Sequence, residues 1–366
     1  MAAADYAILV GISRYADPAF PSLTGPPRDV ALIKEWLMSP KGGGMPEARI
    51  RTILSPETFP DDLDALQAPP MAAQFHAEFI RMERERMQLK SERAKSGRLY
   101  LYFSGHGFCA RDIDRDAEAA LYAANAAKDF FEHIYGTYFA RRAKAKALFA
   151  EVVLIMDCCR DAEVNRAPIQ PTLANTPDDN LAGNVKVLAI YAVPRGGKAH
   201  ERAIAERGGA THGLLTHALM KAFAEARPTS DGQITATRLR DHLLQSWEAV
   251  CGEDAAPRPD FHLPNEEMFF AAQNTGVQVD FSFNGGHAPG TQLFLRNSKL
   301  KRIAVISATG NEDEDLVPDN GQIISWERNG KSVSMRVLPD FYAYELSDAT
   351  AKDKFKAEGV GLHVNL

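Results

Sequence analysis

A histidine and a cysteine that lie 53 residues apart are the side chains in this sequence best suited to nucleophilic chemistry. His106 lies between Gly105 and Gly107, directly after the apolar run LYLYF, and Cys159 comes shortly after a second apolar run, VVLIM. A thiol becomes a strong nucleophile when a base is close, and histidine exchanges protons near neutral pH. Flanking glycines allow tight backbone turns around such a base. The pair therefore predicts a nucleophile and its base, provided that the fold brings them together.

Short apolar runs alternating with helical patterns predict that fold. The runs occupy residues 6–12, 50–54, 98–105, 151–158 and 186–193. Strands that alternate with helices over residues 1–270 predict an α/β fold with a mainly parallel sheet flanked by helices. Sites in such sheets form beyond the carboxyl ends of the strands, which is where both candidate residues fall.

Helices are predicted wherever apolar residues recur at helical spacing. They cover residues 28–37, 74–94, 127–148, 211–226 and 235–250. The second is highly charged, as is typical of an amphipathic helix with a solvated face.

The character of the chain changes after about residue 273. Segments such as VQVDFSFNG and TQLFLRN alternate apolar and polar residues, and turn dipeptides such as NG and GG separate them. That pattern predicts β-strands joined by tight turns. We therefore predict one domain over residues 1–272 and a small β-rich, sandwich-like accessory domain over residues 273–366.

Composition limits the classes of binding partner and the cellular compartment that we expect. The net charge is −6, which gives no reason to expect nucleic acid or an anionic membrane as a partner. No run approaches the ~18 apolar residues of a membrane span, and the first residues lack the features of a signal peptide. The four cysteines contain no C-x-x-C pair, which favours free thiols in a reducing compartment. We expect a cytoplasmic protein.

The segments YFSGHG and LIMDCCRD resemble the two active-site signatures of the caspase/metacaspase peptidases. The caspase cysteine context is Q-A-C-[RQG]-G with the histidine about 50 residues upstream, and here Asp157-Cys158-Cys159-Arg160 stands in its place. The aspartate two positions before the cysteine is closer to bacterial metacaspase-like peptidases. The resemblance implies a cysteine endopeptidase in which Cys159 is the nucleophile, His106 is the base and Cys158 is a small neighbour.

Further segments extend the resemblance over roughly residues 1–272. YAILVGISRY resembles the family's first strand, LTGPPRDV its L-x-G-x-x-x-D segment, and THGLLTHALMKAF the helix that opens its small-subunit region. The chain departs from the family after the cysteine, where Arg160-Asp161-Ala162 replaces the usual glycine. Backbone N–H groups of Gly107 and Cys159 remain the expected oxyanion donors, since backbone donors do not depend on the side chain.

The resemblance also implies a preference for a basic residue before the scissile bond. In the metacaspase pattern Asp157 lines the S1 pocket, and Asp29 matches a second pocket aspartate. Two carboxylates in a partly desolvated pocket favour a guanidinium or an ammonium group, so we predict cleavage after Arg or Lys. The alternatives are that Asp29 caps the following helix, or that Arg28 neutralises it.

Regulation is a further expectation drawn from the family. The stretch after Cys159 is rich in proline and asparagine, and cleavage in the corresponding linker often accompanies activation, so Arg166 and Arg160 are candidate processing sites. Protein or peptide substrates and an activating protein partner are the expected partners. Calcium activates some metacaspases, but the acidic loop residues form no EF-hand pattern, so we expect no metal and no other cofactor.

Two other classes of protein remain as alternatives. A catalytically silent caspase-like scaffold could act as an interaction module, although both candidate catalytic residues are present. A nucleotide-binding or serine-hydrolase domain is disfavoured, since the sequence has no G-x-x-x-x-G-K-[ST] and no G-x-S-x-G segment.

Overall fold

The computed structural model describes residues 4–89, 96–110, 119–163, 177–229, 232–252, 256–272, 276–317, 322–338, 340–357 and 361–366. The chain divides into two compact units, which are Met1–Phe223 with Leu239–Phe270, and Ala224–Arg238 with Ala271–Leu366. The predicted domain boundary after residue 272 stays a prediction, and residues 224–238 group with the C-terminal unit.

The helices and strands are numbered here in chain order. The helices of the described residues are α1 (Pro26–Met38), α2 (Ala72–Met87), α3 (Gly136–Ala145), α4 (Asp179–Ala182), α5 (Leu214–Glu225) and α6 (Ala236–Cys251). The strands of the first unit and its border are β1 (Tyr6–Gly11), β2 (Ile50–Leu54), β3 (Arg98–Gly105), β4 (Gly107–Ala110), β5 (Ala119–Tyr122), β6 (His133–Tyr135), β7 (Glu151–Cys158), β8 (Asp161–Glu163), β9 (Lys186–Tyr191), β10 (Glu201–Ile204), β11 (Ala210–Gly213), β12 (Gln233–Thr235), β13 (Asp260–His262) and β14 (Phe269–Ala271). The remaining strands are β15 (Val277–Ser282), β16 (Gln292–Arg296), β17 (Arg302–Ser307), β18 (Ile323–Asn329), β19 (Ser332–Val337), β20 (Phe341–Leu346), β21 (Lys352–Lys356) and β22 (Leu362–Asn365).

A six-stranded sheet forms the centre of the first unit, in the order β13-β9-β7-β3-β1-β2. Its strands are parallel except β13, which runs antiparallel to β9. The inner strands are buried on both faces, which explains why they appear in the sequence as continuous apolar runs rather than alternating ones.

Helices cover both faces of this sheet. On one face Phe75 of α2 and Phe139 of α3 meet edge to face, with their ring centroids 4.7 Å apart, above Phe103 of β3. On the other face Trp36 of α1 stacks on Phe223 of α5 at 4.1 Å. The predicted class, an α/β fold with a mainly parallel sheet between helices, is confirmed.

The register of two neighbouring strands decides where the candidate residues emerge. β3 and β7 pair in parallel, with Gly105 opposite Cys158. His106 and Cys159 are the next residues of their strands, so they leave the sheet at the same edge. A one-residue slip would move every side chain of a strand to its other face, so the burial of both faces fixes this register.

The helix predicted over residues 127–148 is wrong in its first part. His133–Tyr135 forms β6, which pairs with β5, and α3 begins only at Gly136. Together with β4 and β8 these strands make a small four-stranded sheet in the order β6-β5-β4-β8. Pairing between segments distant in the sequence leaves no local periodicity, so a pattern of apolar spacing could not distinguish this strand from a helix. The helix predicted from residue 211 begins at Leu214 for a similar reason, because the preceding residues form β11.

The C-terminal unit contains two four-stranded sheets, in the orders β18-β19-β15-β22 and β17-β16-β20-β21. Residues from both sheets, including Val279, Phe281, Leu293 and Tyr342, belong to one buried cluster. β15 alternates buried and partly exposed positions, which is the burial expected of a strand with one face toward a core. The β-rich, sandwich-like prediction is confirmed for this region.

No helix in the described part of the chain combines the length and the apolar character that crossing a membrane requires.

Candidate active site

His106 is held on a tight loop between β3 and β4. Gly105 has a φ of +150°, and a Cβ at that position would lie 2.8 Å from both the Ile12 carbonyl oxygen and the Tyr15 hydroxyl. Glycine is therefore the residue that lets the chain turn here. The backbone N–H of His106 donates to the Tyr15 hydroxyl at 2.8 Å, which fixes the position of the loop.

The ring of His106 is oriented by a backbone carbonyl. Its Nε2 lies 2.8 Å from the carbonyl oxygen of Pro21. Because a carbonyl oxygen can only accept a hydrogen bond, Nε2 carries the proton and the neutral ring keeps Nδ1 as its basic nitrogen. The rings of Tyr15 and Phe20 pack at 5.1 and 6.1 Å from the imidazole. Sequence reasoning missed Tyr15 and Pro21, since both lie about 90 residues before the histidine.

Cys159 is half-buried just beyond β7. Its Sγ accepts a hydrogen bond from the Ala199 backbone N–H at 3.3 Å, and the thiol lies 3.8 Å from the Ala199 carbonyl oxygen. Burial raises the pKa of the Cys159 thiol above its usual range, and the Ala199 N–H opposes that shift. The resting side chain is therefore a neutral thiol, and attack requires a base to remove its proton.

Cys158 points away from this surface. It is 1% exposed, and burial raises the pKa of its thiol well above the usual value. A Cβ on Gly107 would lie 2.6 Å from the Cys158 Sγ, so the glycine after the histidine is required by this packing. An apolar environment makes a thiol inert, which matches the predicted part of a small neighbour.

Two buried carboxylates lie beside the dyad in a cavity of about 100 Å³. We call this cavity the acid pocket, and its lining includes His106, Cys159, Asp29 and Asp157. The structure thus brings the four predicted side chains together around one cavity. Asp29 and Asp157 are 0% and 6% exposed.

Each carboxylate of the acid pocket is held by hydrogen bonds from the surrounding elements. Asp29 accepts from His212 Nδ1 at 2.8 Å and from the Gly213 N–H at 3.1 Å. Asp157 accepts from the backbone N–H of Thr216 at 3.0 Å and from its hydroxyl at 2.6 Å. Asp29 accepts its bonds from β11 and, at 3.2 Å, from the Ser104 hydroxyl of β3 rather than from amides of its own helix α1, and that helix has no side-chain cap. The capping alternative is therefore not supported.

The acid pocket is electrostatically suited to a cation. Burial, reinforced by the charge of Asp29, raises the pKa of Asp157 to about 7. Burial also raises the pKa of Asp29, although its bond from His212 works in the opposite direction. Two like charges in one desolvated site resist simultaneous ionisation. An arriving guanidinium or ammonium would relieve that repulsion.

Glu201 is a third carboxylate of the acid pocket that sequence reasoning missed. Its Oε1 accepts from the Thr24 N–H at 3.0 Å and its Oε2 from the Gly25 N–H at 2.9 Å. A Cβ on Gly25 would lie 2.8 Å from Oε2, so the glycine permits this approach. The 176 residues between these partners leave no local signal.

The two candidate processing sites are Arg160 and Arg166. Arg160 is 2% exposed, donates to Asp260 at 2.8 Å and lies 4.1 Å above the ring of Tyr191. A cleavage site has to be reachable by a protease, so this placement argues against Arg160. Arg166 lies outside the described residues.

Of the predicted oxyanion donors, Gly107 is the first residue of β4 and Cys159 directly follows β7, so both lie just beyond the carboxyl ends of the paired strands β3 and β7. Their roles stay predictions. Within the described ranges, no group of three or more His, Cys, Asp or Glu side chains is arranged to hold a metal ion.

A comparison with known proteins identifies the family of the chain. The caspase domain family matches residues 4–260, which is more than half of the chain. The chain therefore belongs to the caspase domain family.

Two relatives illustrate the range of similarity. A probable protease of a Desulfuromonadales bacterium is 32% identical over 109 residues, which is 29% of this chain and 12% of that protein. The chain thus matches about an eighth of the length of this relative. The crystal structure of caspase-1 from Spodoptera frugiperda has a TM-score of 0.45 and 11% identity, and the alignment covers 71% of this chain and 88% of that one.

Proposed function

We propose that the chain is a cysteine endopeptidase that cleaves proteins after Arg or Lys through a dyad of His106 and Cys159. The observation that carries this proposal is the acid pocket, whose buried carboxylates line the same cavity as both dyad residues. A thiol and a base alone could catalyse many acyl-transfer reactions and would not select a substrate. The adjoining acidic cavity supplies the selectivity for a basic side chain.

The proposed reaction begins with proton transfer. The Nδ1 of His106 removes the proton of the Cys159 thiol as the sulfur attacks the peptide carbonyl carbon. The negative charge that develops on the carbonyl oxygen is stabilised by the backbone N–H groups of Gly107 and Cys159. His106 then donates the proton to the departing amine, which leaves a thioester on Cys159. Water, deprotonated by the same imidazole, hydrolyses the thioester and restores the thiol.

The Pro21 carbonyl contributes by holding the histidine in one tautomer. A neutral ring with its proton on Nε2 presents a basic Nδ1, and the imidazolium that forms during attack is stabilised by the same carbonyl. The elevated pKa of the Cys159 thiol supports general-base attack rather than a resting thiolate–imidazolium pair.

Asp157 and Asp29 act in this proposal as the S1 carboxylates, and Glu201 adds acidic character to the same cavity. Arg presents a planar fork of donors that suits carboxylates, whereas Lys presents a compact ammonium, so both fit an acidic pocket with different geometry. The aspartate two residues before the cysteine supports a place in the metacaspase-like branch of the family.

Activation by processing or by partner binding belongs to the same proposal. Arg166 remains the processing candidate, whereas the burial of Arg160 argues against that position. All four cysteines are free thiols, which supports a reducing, cytoplasmic setting. Residues 273–366 would serve as the accessory domain that receives an activating partner. Calcium as an activator has no supporting site in the described residues.

The experiment that tests this function is a panel of fluorogenic peptides with Arg, Lys, Asp or Ala before the scissile bond. Wild type, Cys159→Ala and the matched control Cys158→Ala are assayed side by side, before and after limited trypsin treatment. We expect cleavage of the Arg and Lys peptides alone. Cys159→Ala should lose at least about 10⁴-fold in kcat, whereas Cys158→Ala retains turnover.

Each alternative outcome has a clear meaning. Faster turnover of the Asp peptide than of the Arg peptide would reject the S1 assignment while leaving the dyad. Equal activity of Cys159→Ala and wild type would reject the nucleophile. No cleavage under any condition would mean either that the chain requires a specific activator or that it is the catalytically silent scaffold.

A further inference from the structure

A second cavity, with a volume of about 310 Å³, is also lined by His106 and Cys159. Among the described residues that line the two cavities, His106 and Cys159 are the ones in common. Three aromatic rings, those of Phe20, Tyr122 and Phe131, line this second cavity. We call it the aromatic cleft. The proposed nucleophile and base therefore line both a small acidic space and a larger apolar one.

The order of events in acyl transfer indicates which part of the substrate would contact the aromatic cleft. A substrate that places its basic side chain in the acid pocket has its scissile carbonyl at Cys159. The amine that leaves must receive a proton from His106, so the chain beyond the scissile bond lies against the histidine. His106 lines both cavities. In this arrangement the acid pocket holds the basic side chain of the residue before the scissile bond. The space that remains for the departing residue is the aromatic cleft.

The lining of the aromatic cleft favours an apolar side chain. The ring centroids of Phe20 and Tyr122 lie 4.9 Å apart, and those of Tyr122 and Phe131 lie 6.5 Å apart. Aromatic rings at such distances offer both area and edge-to-face geometry to another ring. The charged residues on the lining, Lys128 and Asp161, have opposite signs, so the cleft has no net charge with which to select an ion.

The two loops that form the aromatic cleft are tied to each other before any substrate arrives. Asp17 accepts hydrogen bonds from the Ala19 N–H and from the Lys128 N–H, both at 2.8 Å. The Ala16 N–H donates to the Ala124 carbonyl at 3.0 Å, and the Tyr122 N–H donates to the His106 carbonyl at 2.9 Å. Preorganised walls lower the entropic cost of binding, so a cleft built this way can convert buried area into selectivity.

We propose that the aromatic cleft is the subsite for the residue directly after the scissile bond, and that it selects a large apolar side chain there, aromatic before aliphatic. This inference rests on the proposed function, because it requires acyl transfer at Cys159. It adds a second specificity element, which acts during acylation, when the departing residue is still attached.

The test uses internally quenched peptides with Arg fixed before the scissile bond and Phe, Leu, Gly or Asp after it. We expect kcat/KM for the Phe peptide to exceed that for the Gly peptide by about tenfold or more, which is the discrimination an apolar pocket supplies. Phe131→Ala should bring this ratio close to one. The matched control is Phe130→Ala, because Phe130 is the neighbouring residue, is 43% exposed and is not part of the lining. That variant should keep the wild-type ratio.

A second measurement tests the aromatic cleft by letting an added amine compete with water for the acyl-enzyme. An Arg ester acylates Cys159, and an added amino-acid amide then competes with water for the thioester. The amine attacks the thioester carbonyl and forms a new peptide bond as the C–S bond breaks, and its proton passes through His106 to the departing sulfur, which restores the thiol. Phenylalanine amide should capture the acyl group several-fold more often than glycine amide, and Phe131→Ala should abolish that difference.

The outcomes separate this inference from the function on which it rests. Cleavage of all the peptides at equal rates, with equal capture of both amides, would overturn the aromatic cleft as a subsite and leave the Arg-directed peptidase intact. Faster cleavage of the Gly or Asp peptide would overturn it in the same way. No cleavage of any peptide and no ester turnover would overturn both.

Discussion

The acid pocket and the aromatic cleft share His106 and Cys159 as lining residues and are built in different ways. The carboxylates of the acid pocket are buried and held by β11 and the start of α5. Of the rings of the aromatic cleft, Phe20 and Phe131 lie on two loops joined by hydrogen bonds such as that from the Lys128 N–H to Asp17, and Tyr122 ends β5. A polar pocket discriminates strongly because a wrong side chain leaves buried groups unpaired, whereas an apolar pocket gains only about 1–3 kcal/mol per fitting group. Charge should therefore dominate selection of the residue before the scissile bond, and contact area should refine selection of the residue after it.

Among the substitutions that compare the two cavities, the largest effect should come from Asp157→Asn. The amide keeps the shape and can still accept from Thr216, but it removes a negative charge from the acid pocket. We expect kcat/KM for an Arg peptide to fall at least about 100-fold, in line with the cost of leaving a buried charge without its partner. Steady-state kinetics on matched Arg peptides measures the loss, and most of it should appear in KM.

The matched control for this substitution is Asp241→Asn. Asp241 lies on α6, is half exposed and pairs with its neighbour Arg240. It should change kcat/KM less than about twofold, because an exposed pair contributes little. Unchanged alkylation of Cys159 by iodoacetamide would show that the site is intact in Asp157→Asn. If both variants behave alike, the acid pocket is not the S1 site.

A smaller effect should appear in the pH dependence of cation binding. The pKa of Asp157 is raised to about 7, so below that pH the pocket is protonated and a cation must displace the proton. The Kd of butylguanidine should therefore fall as the pH rises through about 7, by up to about tenfold per unit on the acidic side, and then level off. Calorimetry on the Cys159→Ala variant measures this without any turnover.

Removal of the titrating group should flatten that profile. The double variant Cys159→Ala with Asp157→Asn is expected to bind butylguanidine weakly at every pH between 5 and 9. A profile that keeps its slope in the double variant would mean that another group takes up the proton. Binding that weakens as the pH rises would contradict the sign of the raised pKa.

The smallest expected effect is the coupling between the two cavities. Apart from the dyad they share no lining residue among those described, and sites without common partners usually act additively within about 0.5 kcal/mol. A double-mutant cycle of Asp157→Asn and Phe131→Ala, measured as kcat/KM on the Arg-Phe peptide, should therefore close to within about twofold. A larger coupling would show that the cavities form one continuous site and would break the comparison.

The sequence by itself determined the central sheet and the edge of that sheet at which His106 and Cys159 lie. Apolar runs that end in GHG and in DCC identify parallel strands and their carboxyl ends, because burial on both faces makes such strands continuous and apolar. Adjacent parallel strands then deliver His106 and Cys159 to one edge. The alternation in residues 276–366 likewise identifies the β-rich unit, since one face of each strand packs on a core.

Only the tertiary structure decided what surrounds the dyad. Glu201 accepts from Gly25 across a sequence separation of 176 residues, and Tyr15 and Pro21 contact the histidine loop from 91 and 85 residues away. Lys128 and Phe131, which line the aromatic cleft, precede β6 in a stretch where apolar spacing indicated a helix. The local spacing of apolar residues reflects how a segment packs against the neighbouring layer of the fold. Hydrogen bonds and ring contacts between distant loops depend instead on how the chain brings those loops together, which local spacing does not predict.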